Sequence, residues 1–198
     1  MSRNTKNILT ILIVALVFCI IGIVAALGGA GLVLDKLKAN ISSDPAKVKE
    51  MANTFVSYEL PADYSETMGF NFLVYKMVLI SSGGSAASTK PIIFLASFDS
   101  SQSMTPEEMT SQMQKSLEQQ NGQKGANYKV VETRTVTIDG KDASLVVSEG
   151  DDSNGKTMRQ WVTTFPGKTG IIIVMIQGPA SEWDDALYNE FLSSLSTK

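Results

Sequence analysis

From Ile8 to Leu34 the chain runs through 27 consecutive positions without a charged side chain, and nothing else in its 198 residues restricts the fold so tightly. At ~1.5 Å per residue, a helix over that run is about 40 Å long. That exceeds the roughly 30 Å hydrocarbon core of a bilayer and leaves room for tilt. The sequence therefore predicts one membrane-spanning helix over residues 8–34, behind a short tail over residues 1–7.

A cleaved secretory signal is the competing reading. Arg3 and Lys6 supply a basic start, and Ala26-Leu27-Gly28 has the small residues of a cleavage site. The apolar stretch ahead of that site, however, is longer than the about 7–15 residues of a cleaved signal, and Leu32, Val33 and Leu34 extend it beyond. We read an uncleaved signal anchor. A lipoprotein signal fits less well, because the single cysteine, Cys19, follows the bulky Val17 and Phe18. Gly22, Ala26 and Ala30 stand four apart, and this spacing lets two helix backbones approach closely in lipid, so a weak homodimer through these residues is one expectation. The orientation signals conflict. Lys36, Lys38, Lys47 and Lys49 beyond the run outnumber Arg3 and Lys6 before it, whereas the whole N-terminus has the form of an export signal. We take the export form as decisive and expect the rest of the chain outside the cytoplasm, on a cell membrane.

About 160 residues follow the run, enough for one domain with its own core. From Asn40 onward 13 Lys and Arg stand against 19 Asp and Glu, a net charge of −6. Such a domain is a poor partner for nucleic acid, and the expected partners are the lipid bilayer and a protein. The chain has no histidine, and its one cysteine lies within the apolar run. The commonest general base, the thiol nucleophile and the usual zinc ligands are therefore missing from the domain. No metal, cofactor or catalytic residue is assigned.

Residues 35–54 read as a polar stalk with a short helix that starts at Ser43 or Asp44 with Pro45 in the first turn, Val48, Met51 and Phe55 forming one face. Residues 55–60, 68–81 and 91–98 read as strands. In the second, alternation places Phe70, Phe72, Val74 and Val78 opposite Leu73, Tyr75, Met77 and Leu79. Thr105-Pro106-Glu107-Glu108 carries a capping box and opens a helix whose buried face is Met109, Met113 and Leu117, ended by Asn121-Gly122. Four strands over 128–138, 143–148, 157–165 and 170–177 follow with short connections, Asp139-Gly140 marking a tight hairpin. Short connections enforce antiparallel pairing. The run from Ile171 to Ile176 contains nothing polar and predicts a central strand with Ile173 and Met175 in the core. Ser181 and Asp184 at capping-box spacing open a last helix with Trp183, Leu187, Phe191 and Leu195 on one stripe. The fold class is α+β: a transmembrane helix, then an antiparallel sheet of about seven strands flanked by helices over residues 55–198.

This order of elements resembles the PsbP-like fold, the family of the extrinsic P subunit of photosystem II, a Ran-binding nuclear import factor and bacterial envelope relatives. The residues that carry it are Phe55 through Pro61, the helix from Thr105, the hairpin Val136-Thr137-Ile138-Asp139-Gly140-Lys141-Asp142-Ala143, and the closing strand and helix over 170–195. The resemblance implies a module that docks onto proteins and catalyses nothing. It carries no site residue across.

Carboxylate chemistry is the remaining enzymatic route. Glu107 with Glu108 and Asp184 with Asp185 are paired acids, but each pair sits in a first helical turn, where the helix dipole accounts for it. The loop Glu149-Gly150-Asp151-Asp152-Ser153-Asn154-Gly155 offers oxygen ligands without the spacing of an EF-hand. The sequence thus favours a membrane-anchored, non-catalytic interaction or assembly module, over a carboxylate-based hydrolase or a calcium or ligand sensor.

Overall fold

The computed structural model describes residues 40–72, 75–84, 89–99, 105, 108, 111, 128–152, 154–168 and 170–198. The apolar run over 8–34, with Gly22, Ala26 and Ala30, lies outside the described residues, as do Met109, Met113 and Leu117. Among the described residues no helix is long and apolar enough to cross a membrane.

Eight strands and two helices make up the described domain: β1 (Ile41–Ser42), α1 (Pro45–Asn53), β2 (Tyr64–Phe72), β3 (Tyr75–Ser82), β4 (Ile92–Asp99), β5 (Lys129–Ile138), β6 (Lys141–Asp151), β7 (Thr157–Pro166), β8 (Gly170–Pro179) and α2 (Asp185–Ser194), with a 3₁₀ turn over Ala180–Glu182 before α2. The strands form one sheet in the order β1-β2-β3-β4-β8-β7-β6-β5, and every neighbouring pair is antiparallel. The α+β class holds. Residues Asn40–Lys198 form one compact unit.

β8 is central, as its composition predicts. Ile173 and Met175 are 6% and 5% exposed, and Ile171 through Ile176 are all buried. Ile172, Val174 and Ile176 point to the helical side, where Val48 and Ala52 of α1 and Tyr188, Phe191 and Leu192 of α2 complete the core. Ile173 and Met175 face the other side, opposite Ala96 and Phe94 of β4. Asp44 caps α1 by accepting from the Ala46 N–H at 3.0 Å, with Pro45 at the first position.

Four expectations are corrected. Residues 55–60 are no strand: their backbone pairs only through the isolated bridge Ser57 to Ser196, while Phe55, Val56 and Tyr58 are buried as core. Their apolar character reflects burial and not sheet pairing. The run over 68–81 is no single strand but parts of the hairpin β2–β3, with Phe72 opposite Tyr75. The reversal puts Phe70 directly opposite Met77, so these two share a face that simple alternation assigns to opposite sides. β1 is a strand where a stalk was expected, paired with β2 through Ile41 to Phe70, and it brings the sheet to eight. Finally, Ser181 does not cap the last helix. Asp184 does, accepting from the Leu187 N–H at 3.0 Å, because the 3₁₀ turn takes up Ser181.

The capping box at Thr105 forms as expected. The Glu108 N–H donates to Thr105 Oγ1 at 3.2 Å and the Thr105 N–H donates to Glu108 Oε2 at 3.1 Å. That reciprocal pair satisfies two donors of a helix start.

Candidate functional site beneath the C-terminal helix

Period-two alternation in β7 sends Arg159, Trp161, Thr163 and Phe165 to the helical side of the sheet. Trp161 packs against Trp183 at 5.5 Å and Tyr188 at 6.3 Å between ring centroids, and Trp183 meets Tyr188 at 5.0 Å. Two guanidinium groups lie on these rings, Arg134 at 4.5 Å over Trp161 and Arg159 at 5.8 Å over Trp183. Stacking of this kind holds a cation by the ring quadrupole while keeping its N–H edges available.

Arg159 sits directly opposite Glu149 in the β6–β7 register, and two of its nitrogens reach Glu149 Oε1 at 2.7 and 2.6 Å. Its third nitrogen lies 3.8 Å from Asp185, whose carboxylate also accepts from the Trp183 indole N–H at 3.0 Å. Arg134 differs. It donates to the Asn189 side-chain oxygen at 3.4 Å and forms no ion pair among the described residues, and its buried Nε has no hydrogen-bond partner. The Trp161 indole nitrogen and the Thr163 hydroxyl are likewise buried without a partner.

Tyrosines close the cluster. Tyr64 donates to the Pro91 carbonyl at 2.9 Å, which uses its single proton, so Tyr188 donates to Tyr64 across their 2.9 Å contact. Burial raises the pKa of both, and for Tyr188 the bond to Tyr64 raises it further. Neither is a phenolate at neutral pH.

At the other end of the helical side, a bulge between Glu66 and Met68 interrupts β2. Glu66 faces Tyr58 and Lys49 there. It is 6% exposed, accepts from the Tyr58 hydroxyl at 3.1 Å, and lies 3.3 Å from the Lys49 ammonium. Lys49 also sits 4.2 Å above the Tyr58 ring. Burial, then the Glu66 charge, raise the Tyr58 pKa, so its proton stays on the phenol. On the opposite face Ser148, Gln160 and Gln177 form one row across β6, β7 and β8. Gln160 donates to Gln177 at 3.3 Å and Gln177 to the Tyr128 hydroxyl at 2.9 Å, while burial lifts the Tyr128 pKa to about 12.

The carboxylates singled out in the sequence do not converge. Asp184 caps α2 and Asp185 serves Trp183 and Arg159. Glu108 belongs to its capping box, and Glu107 lies outside the described residues. In the loop before β7, Asp152 Oδ1 accepts from the backbone N–H of Asn154 at 2.8 Å and of Lys156 at 2.9 Å, and these bonds hold its carboxyl below the usual range. Asp151 accepts from the Thr157 hydroxyl at 3.0 Å. Among the described residues no three Asp, Glu, Cys or His side chains group as metal ligands. The aromatic and guanidinium cluster, by contrast, was not anticipated from the sequence, since its members come from β5, β7, the link ahead of α2 and α2 itself, with no local motif. The one available signal was Arg159-x-Trp161-x-Thr163-x-Phe165, a strand alternation that puts a charge in line with core residues.

No family model matches the chain, and no curated protein matches it. Among solved structures it is similar to the cyanobacterial PsbP protein, CyanoP, of Synechocystis sp. PCC 6803, at 13% identity over 81% of this chain and 94% of that one, with a TM-score of 0.41. It is similar also to LpqN of Mycobacterium tuberculosis, a protein involved in cell envelope biogenesis, at 12% identity over 71% and 82% of the two chains and a TM-score of 0.39. PA94 of Pseudomonas aeruginosa, of unknown function, shares 9% identity over 64% and 85%, with a TM-score of 0.42.

Proposed function

We propose that this chain is a single-pass, membrane-anchored interaction or assembly module, with its α+β domain outside the cytoplasm, and that it works by binding a protein and not by catalysis. One observation carries the reading: the carboxylate and phenolic groups described above are spent on the structure of the domain. Glu66 holds Tyr58 and Lys49, Glu149 and Asp185 hold Arg159, Asp184 caps a helix, and Asp152 closes a turn. Among the described residues the two carboxyl groups with shifted pKa, Asp139 and Asp152, are shifted down by hydrogen bonds. A general acid needs the opposite shift. The uncharged run over 8–34 supports the anchor, and the export-signal form of the N-terminus supports the orientation.

Crosslinking in native membranes followed by mass spectrometry tests the proposal. Recovery of one protein in stoichiometric yield is the expected result. Turnover in a broad hydrolase screen of the full chain, abolished by a single Asp or Glu substitution, overturns it.

A further inference from the structure

The face of the sheet turned away from α1 and α2 is buried, and neither helix buries it. Val146, Val162, Met175 and Phe94 form one row across β6, β7, β8 and β4, with Ile173 and Ala96 in the next, and none is more than 9% exposed. Side chains stand roughly perpendicular to a sheet, so neighbouring strands shield their flanks and leave their tips in water. A second layer is needed to bury them. The core residues of α1 and α2 gather on Ile172, Val174 and Ile176 of the other face instead.

In the sheet order β4-β8-β7-β6-β5 every step is antiparallel, so β4 and β5 run parallel to each other. Parallel strands need a crossover of a dozen or more residues, usually a helix, and here the link is residues 100–127. Both of its ends point to the buried face. Tyr128, the residue ahead of β5, accepts at 2.9 Å from Gln177 of β8, which lies three strands in from the β5 edge and on the same side as Met175. The chain therefore enters β5 from over that face. At the other end the capping box of Thr105 and Glu108 has formed, and Glu108 and Ser111 of the helix it opens are exposed. Ser111 stands two residues, or about 200° of helical rotation, from both Met109 and Met113, so the apolar stripe falls on the opposite side. We propose that residues 100–127 are the second layer, with a helix crossing the face from the end of β4 towards Tyr128 and seating Met109, Met113 and Leu117 on the rows of Phe94 and Ala96. The lengths agree. Residues 106–120 span about 22 Å as a helix. From the Asp99–Gly170 pair to Gln177 is seven residues along β8, about 23 Å. Residues 100–104 and 121–127 supply the sideways travel.

The layer does not depend on the protein-partner reading, and it takes this face out of the surfaces such a partner can use. It is tested on the full chain in its own membrane, with a photoreactive diazirine analogue of methionine at residue 113 alone, close enough in shape to Met113 to keep the packing. After illumination, residue-level mass spectrometry should find the adduct on Val162, Ile173, Met175 or their neighbours on that face. Mixing isotopically light and heavy chains should show that both ends of the adduct belong to one chain. The same group at Ser111 should give at least tenfold less adduct on the sheet. Adducts on α1 or α2, adducts joining light to heavy chains, or equal yields from residues 111 and 113 overturn the proposal. So does the absence of any sheet adduct from residue 113.

Discussion

At Asp139 a single side chain ties the β5–β6 turn to the end of the chain. It accepts from the Thr197 hydroxyl at 2.7 Å, from the Thr197 N–H at 3.3 Å and from the Ser196 hydroxyl at 3.2 Å, with the Lys198 ammonium 3.7 Å away. The Thr197 hydroxyl is the main cause of its lowered pKa, opposed in part by burial and reinforced by the Thr197 N–H, Lys198 and Ser196. A carboxyl whose folded pKa is depressed stabilises the fold above its unfolded value, about 3.9, and loses that contribution as pH falls through the folded value. Melting temperature should therefore drop as the solution is acidified below about pH 4. In Asp139→Ala part of that drop should vanish, because the neutral-pH stability falls while the acid stability hardly changes. Circular dichroism melts across pH check this, and an unchanged pH slope would count against the role of Asp139. Glu66 makes a different case, since it is buried beside the buried Tyr58, with the half-buried Lys49 as its ion-pair partner. Glu66→Ala leaves the buried Tyr58 hydroxyl without its acceptor, and such a loss should cost about 1–3 kcal/mol in urea unfolding. Tyr58→Phe, which removes the donor and leaves Glu66 to Lys49, should cost less.

Among the elements, β8 and its neighbours show best how local sequence becomes packing. Gly178 lies where a Cβ would run into the Cα and ring of Pro91, the residue ahead of β4 whose carbonyl receives the Tyr64 hydroxyl. Gly178→Ala should therefore push Pro91 away, weaken the Tyr64 bond and cost about 1–3 kcal/mol, read by chemical denaturation. Ile173→Ala, in the middle of the same strand, should cost about 2–5 kcal/mol. A change near zero would place that face at an open edge. The burial of β8 was legible because an uninterrupted aliphatic run has no solvent-facing partner, and the β5–β6 hairpin because Asp139-Gly140 has only one common use. The β2–β3 hairpin was not, since no Gly, Pro, Asn or Asp marks residues 73–74 between Phe72 and Tyr75. Apolar residues 55–60 misled for a related reason: a segment crossing the core is as hydrophobic as a strand and shows the same pattern without the ladder. The cluster around Trp161 was out of reach because Arg134, Trp161, Trp183 and Tyr188 meet only once the sheet order and the placement of α2 are known. Capping residues were read more easily. Asp44 and Thr105 act on neighbours within three positions, and so their chemistry is complete in the local sequence.

For the whole molecule, the decisive property is a contrast between its parts: an uncharged run over 8–34 followed by a domain of net charge −6 from Asn40 onward. The proposed anchor follows from that contrast. A segment with about 27 apolar or small residues gains far more from lipid than the about 7–15 of a cleaved signal, and the chain beyond it has its own core. Membranes washed with alkaline carbonate should retain the full chain, and its mass should include the residues before Gly28. A mature chain beginning near Gly29 or Gly31 would overturn the anchor. Orientation is separable in the same preparation. Protease added to intact cells should digest the domain if it lies outside, and membrane vesicles of inverted orientation should protect it. Protection in intact cells with digestion in inverted vesicles would reverse the assignment and show that Lys36, Lys38, Lys47 and Lys49, not the export-like start, set the topology.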